Sequence, residues 1–236
     1  MSKLKFSLRA VSLLAGVALG AIAPLHSAVA GTVGLDYVGP QYGNYLSFGV
    51  AGPTSGSVQA GGFNMKVNSS NDPLISSPGS ILAWCIELTQ FINTPANYTS
   101  DSSGSDSWSG KMTQLFNQHY KDVLAGASNV VSAAMQLAVW EIAYDSSSLD
   151  LSRGNFRVTS GNSNARNMAQ EWLSNLSTSS STGDYKLVKL TSGKSQDLMT
   201  VVPTPIPAAA LLFGSALGLG GLLQRRRRAT PAAAVA

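Results

Sequence analysis

The first half of the chain has the alternation of hydrophobic and polar residues that is typical of half-buried β-strands. In residues 63–68 every second residue is apolar, so the apolar side chains share one face of an extended chain. Residues 34–39 and 45–50 have a similar character, and turns rich in Gly, Pro and Ser separate these segments. The pattern predicts several antiparallel strands between residues 32 and 99.

Residues 81–88, with the sequence ILAWCIEL, form the most apolar strand candidate. If this segment is extended, Trp84 lies on the face that carries the large apolar residues. Cys85 then lies on the opposite face, beside a small alanine and Glu87. Because Cys85 is the single cysteine of the chain, the contacts of that face decide what the thiol can do.

Between residues 111 and 176 the apolar residues recur at the three- and four-residue steps of an amphipathic helix. This spacing predicts three helices. The first runs from a cap at Ser109 to a stop at Gly126, the second covers residues 130–145 and the third covers residues 163–176.

Strand-like alternation returns in residues 185–190 and 197–202, after the serine-rich loop candidate 177–184. The order of strands, three helices and one or two strands predicts an α+β fold, an antiparallel β-sandwich or barrel with a three-helix insertion. We expect strands of the first half to pair with residues 185–190 and the helices to pack over one side. The serine-rich segment 99–110 is predicted to be a loop.

The N-terminus has the three parts of a secretory signal peptide. Basic residues without any acidic residue precede an apolar run, and Ala28 and Ala30 supply the small side chains that a signal peptidase requires. We therefore predict a signal peptide over residues 1–30 that is cleaved after Ala30. An uncleaved N-terminal anchor is the alternative.

The C-terminus contains a proline-rich stem, an apolar stretch and four consecutive arginines at 225–228. The apolar residues 206–223 approach the roughly 20 residues that a helix needs to cross a bilayer. Positive residues mark the cytoplasmic flank of a span, which leaves the body outside. The pattern predicts a transmembrane helix over 206–223, an extracytoplasmic body over 31–202 and a short cytoplasmic extension over 229–236.

Val202, Pro203, Thr204 and Pro205, followed by the apolar stretch and the arginines, resemble PEP-CTERM protein-sorting tails of the V-P-x-P type. Thr204 stands where the name-giving motif has glutamate, and the chain continues beyond the arginines. The resemblance covers residues 203–228 and implies a Gram-negative bacterium. Its inner membrane would hold the chain until an exosortase cuts within the motif and passes the body to the cell surface or extracellular matrix. A plain single-span anchor is the alternative.

The net charge of +4 belongs to the two ends of the chain rather than to the body. The predicted signal peptide and tail hold seven of the sixteen basic residues, whereas all twelve acidic residues lie between residues 31 and 202. The body therefore has nine basic and twelve acidic residues, a net charge of −3, and it has no basic patch with interleaved aromatic residues. We expect no nucleic-acid partner.

The body lacks the residues that most enzyme and metal sites require. Its single histidine, His119, lies on the apolar stripe of the first predicted helix, where a packed histidine is the simpler interpretation. One cysteine and one histidine give no supported Ser-His-Asp or Cys-His arrangement and no zinc site. We expect no turnover enzyme, no metal and no cofactor, and a hydrolase acting in the matrix has little support.

One pair of residues can still carry covalent chemistry. Gln136, in the second predicted helix, lies on the flank of the apolar stripe, one turn before Trp140. A buried primary amide needs partners, and the strand that carries Cys85 could pack against this helix. A thiolate that attacks the amide carbon expels ammonia and leaves a thioester, which persists where water is excluded and reacts with an amine or hydroxyl. The ordinary alternative is a core thiol and a hydrogen-bonded helix residue.

The segments WCIEL at residues 84–88 and MQLAVWEI at residues 135–142 resemble the two signatures of the thioester domains of bacterial surface adhesins. The resemblance implies an internal thioester in which Gln136 supplies the acyl group and Cys85 is the leaving thiol. The acyl group would pass once to a nucleophile on a target surface. Members of that family come mainly from Gram-positive bacteria, so a PEP-CTERM-like tail is a departure in context.

The same resemblance implies roles for four neighbouring residues. Trp84 and Trp140 would shield the bond from water, and Glu87 and Glu141 are acid/base candidates. The implied partner is an amine- or hydroxyl-bearing ligand on a surface or exopolysaccharide. Two functions stay open: a covalent adhesin or matrix cross-linker, and a non-covalent structural component of the exopolysaccharide or biofilm matrix.

Overall fold

A computed structural model describes residues 30–176 and 183–204 of the chain. These residues contain nine strands and three helices. In chain order the elements are β1 (Gly31–Pro40), β2 (Leu46–Ala51), β3 (Gly56–Ala60), β4 (Phe63–Ser70), β5 (Gly79–Cys85), β6 (Ala96–Asp101), α1 (Ser109–Gly126), α2 (Asn129–Asp145), β7 (Arg157–Gly161), α3 (Ser163–Ser174), β8 (Tyr185–Thr191) and β9 (Leu198–Pro203).

Six of the strands form a closed antiparallel barrel in the order β1-β4-β5-β9-β8-β6. The alternation seen in the sequence gives the barrel its core, since Met65 and Val67 on β4 are fully buried and Lys66 between them is exposed. Thr99 on β6 pairs with Thr191 on β8, so a strand of the first half pairs with the segment that the pattern indicated. The antiparallel β-structure is confirmed, and of the two predicted architectures it is the barrel.

A second sheet contains three strands in the order β3-β2-β7. The sequence pattern predicted one uninterrupted insertion of three helices. That part of the prediction is wrong, because strand β7 lies in the chain between α2 and α3. The pattern did not assign β3, β6 or β7 to strands. Their residues are mostly small or polar, and only alternate ones such as Tyr98 and Val158 are buried.

Helix α2 is buried along most of its length, unlike the amphipathic helices α1 and α3. Ser128 caps its start by accepting a hydrogen bond from the Val131 N–H at 3.3 Å. The turn before it passes through Ala127, whose φ of 41° lies in the left-handed region that ends many helices. Helix α2 contacts α1, α3, β2, β3 and β5. Because these elements surround it, side chains on the flank of its apolar stripe, such as Gln136, are buried together with the side chains of the stripe itself.

The first residues of the predicted sorting motif belong to the barrel. Val202 and Pro203 are the last residues of β9 and pair with β8. Thr204 follows the strand, and its N–H donates to the Asp184 carbonyl at 2.7 Å. The predicted body boundary after Val202 therefore falls inside a barrel strand rather than after it.

The predicted targeting segments fall mostly outside the described residues. Ala28 and Pro205 lie outside them, as do the rest of the predicted signal peptide before Ala30 and the whole predicted membrane helix over residues 206–223. Among the helices of residues 30–176 and 183–204, none has the length and apolar character needed to cross a membrane.

Candidate functional site at Cys85 and Gln136

Cys85 is the last residue of β5, at the point where the chain leaves the barrel wall. Its partner across the strand pair is Leu198, and the contact continues for one more residue because the Ile86 N–H donates to the Asp197 carbonyl at 3.0 Å. Strand alternation places Cys85 on the same face as Ala83, and the residue is 1% exposed. The strand ends earlier than the sequence pattern predicted, so the residues after Cys85 form a loop.

Gln136 lies in the middle of α2 and is fully buried against the end of β5. The Cys85 N–H donates to Gln136 Oε1 at 3.1 Å, and Gln136 Nε2 donates to the Cys85 carbonyl at 2.7 Å. The side-chain amide therefore has a partner at each end, as a buried amide requires. These two bonds hold the carboxamide carbon of Gln136 beside Cys85, so the structure brings together the pair that the sequence singled out.

The Cys85 thiol is neutral at ordinary pH because it is buried. Burial raises the pKa of the thiol to about 12, and the indole N–H of Trp140 is the strongest opposing influence. The backbone of Glu87 also opposes the rise, whereas the carboxylates of Glu87 and Asp197 add to it. Since the thiolate is the nucleophile, chemistry at Cys85 depends on groups that stabilise negative charge on the sulfur.

Trp140 is the tryptophan that lies near the thiol. It follows Gln136 by one helical turn on the same flank of α2, and it is 2% exposed. Its ring packs against Phe156, with a distance of 5.9 Å between the ring centroids. Its Nε1 lacks a hydrogen bond of ordinary geometry to any described residue, although it is near enough to Cys85 to lower the pKa of the thiol.

Trp84 was also predicted to shield the bond, but it has different neighbours. It lies on the face of β5 opposite to that of Cys85. Its ring packs against Phe116 and Tyr120 of α1, with centroid distances of 5.3 and 5.8 Å. Trp84 therefore packs α1 on the outer face of the barrel, and of the two tryptophans Trp140 is the one near the thiol.

Of the two acid/base candidates, Glu87 lies close to the thiol. It follows Cys85 by two residues, and the Cys85 thiol donates to the Glu87 carbonyl. One carboxylate oxygen of Glu87 accepts from the Thr89 hydroxyl at 2.6 Å and the other accepts from the Asp197 N–H at 3.4 Å. These bonds place a negative charge at the edge of the site.

Glu141 faces a different part of the molecule. It is fully buried, its Oε1 accepts from the Asp150 N–H at 2.7 Å, and its Oε2 has no partner among the described residues. Burial raises the pKa of Glu141 to about 8, and the carboxylates of Asp145 and Asp150 add to the rise. Glu141 therefore anchors the loop that follows α2, and the structure does not place its carboxyl group at the thiol.

Two further residues, Asp197 and Tyr144, lie near the thiol and were not singled out from the sequence. Asp197 precedes β9, and its Oδ1 accepts from the Ser192 N–H at 2.8 Å. Burial raises the pKa of Asp197, and the charge of Glu87 adds to the rise. The Tyr144 hydroxyl accepts from the Leu88 N–H at 2.9 Å. No local signal marks Asp197, whose position depends on the pairing of β5 with β9, whereas the helical period could have placed Tyr144 near this flank of α2.

The parts of the chain described by the structure contain no group of three or more His, Cys, Asp and Glu residues that could hold a metal ion. His119 stacks on Trp172 with 4.5 Å between the ring centroids, and burial lowers its pKa. Its ring is thus a packing element between α1 and α3, as its place on an apolar stripe suggested.

Comparison with solved structures finds a likeness to the N-terminal domain of the Streptococcus pyogenes pilus tip adhesin Cpa. The identity is 14% and the TM-score 0.40, over 72% of this chain and 99% of that one. No protein-family profile matches the chain, and no curated protein sequence matches it.

Proposed function

We propose that the protein is a covalent adhesin or matrix cross-linker that acts through an internal thioester between Cys85 and Gln136. The observation that carries the proposal is the pair of hydrogen bonds joining the Gln136 amide to the backbone of Cys85. A thiol and an amide held in this way meet without a bimolecular encounter, and effective molarities in comparable cases reach about 10⁵ M or more.

The same two hydrogen bonds favour the reaction that forms the thioester. The Cys85 sulfur attacks the amide carbon of Gln136, and negative charge develops on Oε1, to which the Cys85 N–H already donates. The C–N bond then breaks, Nε2 leaves as ammonia, and the thiol proton completes that ammonia. The product is a thioester, with every atom and proton accounted for.

Burial of the residues around the thioester protects the bond from hydrolysis before it meets a target. Cys85, Gln136 and Trp140 are almost completely buried, so water has little access to the acyl carbon. The acyl group can be passed on once, to an amine or hydroxyl of a surface or exopolysaccharide ligand, which makes the protein a single-use reagent rather than a turnover enzyme. Glu87 is the acid/base candidate nearest to this transfer.

The export route forms part of the same proposal. The predicted signal peptide and sorting tail would carry the body across the inner membrane of a Gram-negative bacterium, and an exosortase-type enzyme would remove the tail. The position of the motif at the end of β9 supports a cut at or after Thr204, because Val202 and Pro203 are paired in the barrel.

Covalent attachment can be tested on the native cell surface. We expect part of the mature protein to stay with cell-surface or exopolysaccharide material in denaturant, and to carry an adduct at Gln136. The matched control is Cys85→Ala, which keeps both backbone partners of Gln136 but cannot form the thioester. It should be released completely by the same denaturant.

The non-covalent matrix component remains the second candidate, and one observation favours it. The Gln136 amide is hydrogen-bonded at both its oxygen and its nitrogen, so it also serves as an ordinary clamp between α2 and β5. On that account wild-type protein and Cys85→Ala are retained equally in buffer and released equally by denaturant. Equal release would therefore remove the covalent function.

The sorting route gives a separate expectation. Mature protein from the native cell should end near residues 203–205 and lack Arg225–Arg228, whereas a host without the processing enzyme should retain the longer form in its membrane. C-terminal peptide mapping of both preparations checks this. Native protein that keeps the arginines in the inner membrane would instead identify a simple anchor.

A further inference from the structure

Trp140 carries a buried hydrogen-bond donor that makes no hydrogen bond of ordinary geometry to any described residue. Its Nε1 lacks a partner among the described residues, although the side chain is 2% exposed. Folded proteins pair nearly all of their buried polar groups, and a role in reaction chemistry is one explanation for an exception. The position of this donor therefore needs a physical explanation.

The donor lies on the flank of α2 that faces Cys85. Gln136 and Trp140 are one turn apart on α2, and Gln136 is hydrogen-bonded to both backbone groups of Cys85. The indole N–H is also the strongest influence that favours the charged form of the Cys85 thiol. A buried, unpaired donor on this flank of α2 can therefore serve the sulfur when the sulfur carries negative charge.

We propose that the Trp140 indole N–H is the donor that stabilises the Cys85 sulfur whenever that sulfur is negatively charged. This role rests on the proposed thioester. In acyl transfer an amine nitrogen bonds to the Gln136 carbonyl carbon, and the carbon–sulfur bond breaks with its electron pair going to Sγ. The proton lost by the amine ends on the thiol. In thioester formation the same donor supports the attacking thiolate.

A donor and a water shield predict opposite effects when the N–H is removed. Loss of a donor raises the barrier to breaking the carbon–sulfur bond, because charge on the sulfur is no longer stabilised. Loss of part of a shield admits water and amines and speeds the opening of the bond. The direction of the rate change therefore separates the two roles.

The test compares Trp140→Phe with Trp84→Phe in the full chain. Both replacements remove a buried Nε1 that has no partner among the described residues, but Trp84 lies on the other face of β5. The measurement is the rate at which methylamine releases the Cys85 thiol at fixed pH. Hydrogen bonds to charged groups make the expected slowing in Trp140→Phe about 10- to 100-fold. Trp84→Phe should react at close to the wild-type rate.

Every outcome bears on the proposal. A Trp140→Phe rate equal to or above the wild-type rate overturns the donor role while leaving the thioester intact. A Trp140→Phe protein that folds, holds no thioester and keeps the intact Gln136 amide supports it, because formation uses the same donor. A Gln136 side chain hydrolysed to a carboxylate would instead indicate a lost water shield and overturn the donor role. If wild-type protein itself holds no thioester, the proposed function has failed and the donor role falls with it.

A second replacement guards against a folding defect in Trp140→Phe. Benzothienylalanine at position 140, introduced by codon suppression, keeps the shape of the indole and exchanges only the N–H for sulfur. The donor role requires the same slowing in this protein. A wild-type rate here would rule the donor role out.

Discussion

Native protein treated with methylamine should gain one methylamine at Gln136 and one titratable thiol at Cys85. The amine attacks the acyl carbon of Gln136, which is activated as a thioester, and the sulfur departs and takes up the proton lost by the amine. Cys85→Ala should reduce the incorporation to background, since an unactivated amide does not react with amines under mild conditions. Peptide mapping after denaturation measures the adduct, and a thiol reagent measures the cysteine.

Gln170 gives an internal control in the same experiment. Its side-chain amide also pairs with two backbone groups, accepting from the Leu151 N–H at 2.9 Å and donating to the Leu149 carbonyl at 3.0 Å. It has no thiol partner, so it should stay unmodified. Methylamine found on Gln170, or on Gln136 in Cys85→Ala, would show that the reaction does not pass through a thioester.

Gln136→Ala should be far less stable than Cys85→Ala, although both prevent the cross-link. Removal of the amide leaves the Cys85 N–H and carbonyl buried without their partners, and each such group costs about 1–3 kcal/mol. A cavity beside β5 adds to that cost. We therefore expect the free energy of unfolding to be lower by about 3–5 kcal/mol in Gln136→Ala than in Cys85→Ala. Urea denaturation of both proteins measures the difference.

The matched control for stability is Gln170→Ala. Gln170 is only partly buried, so water can replace the lost amide and the effect should be smaller than that of Gln136→Ala. Equal stabilities of Gln136→Ala and Cys85→Ala would mean that the clamp between α2 and β5 contributes little to the fold. Gln136→Ala would then be the better negative control for the chemistry.

The elements that the sequence predicted are those whose signal is local. Helix α1 covers Ser109–Gly126, close to the predicted bounds, because an apolar stripe identifies such a helix without knowledge of its partners. The predicted cap at Ser109 is wrong by one residue, since Trp108 occupies the cap position and makes no side-chain cap bond, and the left-handed residue at the other end is Ala127. Strand β6 was missed because one of its buried residues is Ser100. The Ser100 hydroxyl accepts from the Gly31 N–H at 2.9 Å and donates to the Asp72 carboxylate, so a polar side chain is satisfied inside the structure and interrupts the apolar pattern.

The residues of the candidate site also divide into those that a local sequence signal identifies and those that only the fold brings together. Cys85 and Gln136 are 51 residues apart, so their contact could be inferred only through a resemblance and not from spacing. Asp197 comes to the thiol through the pairing of β9 with β5, which no local pattern reveals. Glu141 adjoins Trp140 in the chain, but one residue along a helix turns the side chain by about 100°, toward the loop at Asp150.

The intact mass of the exported protein tests the thioester most directly. Wild-type protein and Cys85→Ala are purified from the same host without added amines and measured under denaturing conditions, so that processing of the two ends affects both equally. After correction for the substitution, wild-type protein should be lighter than Cys85→Ala by one ammonia, and Cys85 should not react with a thiol reagent. Wild-type protein of full mass with a freely reacting Cys85, in repeated preparations, would contradict the account.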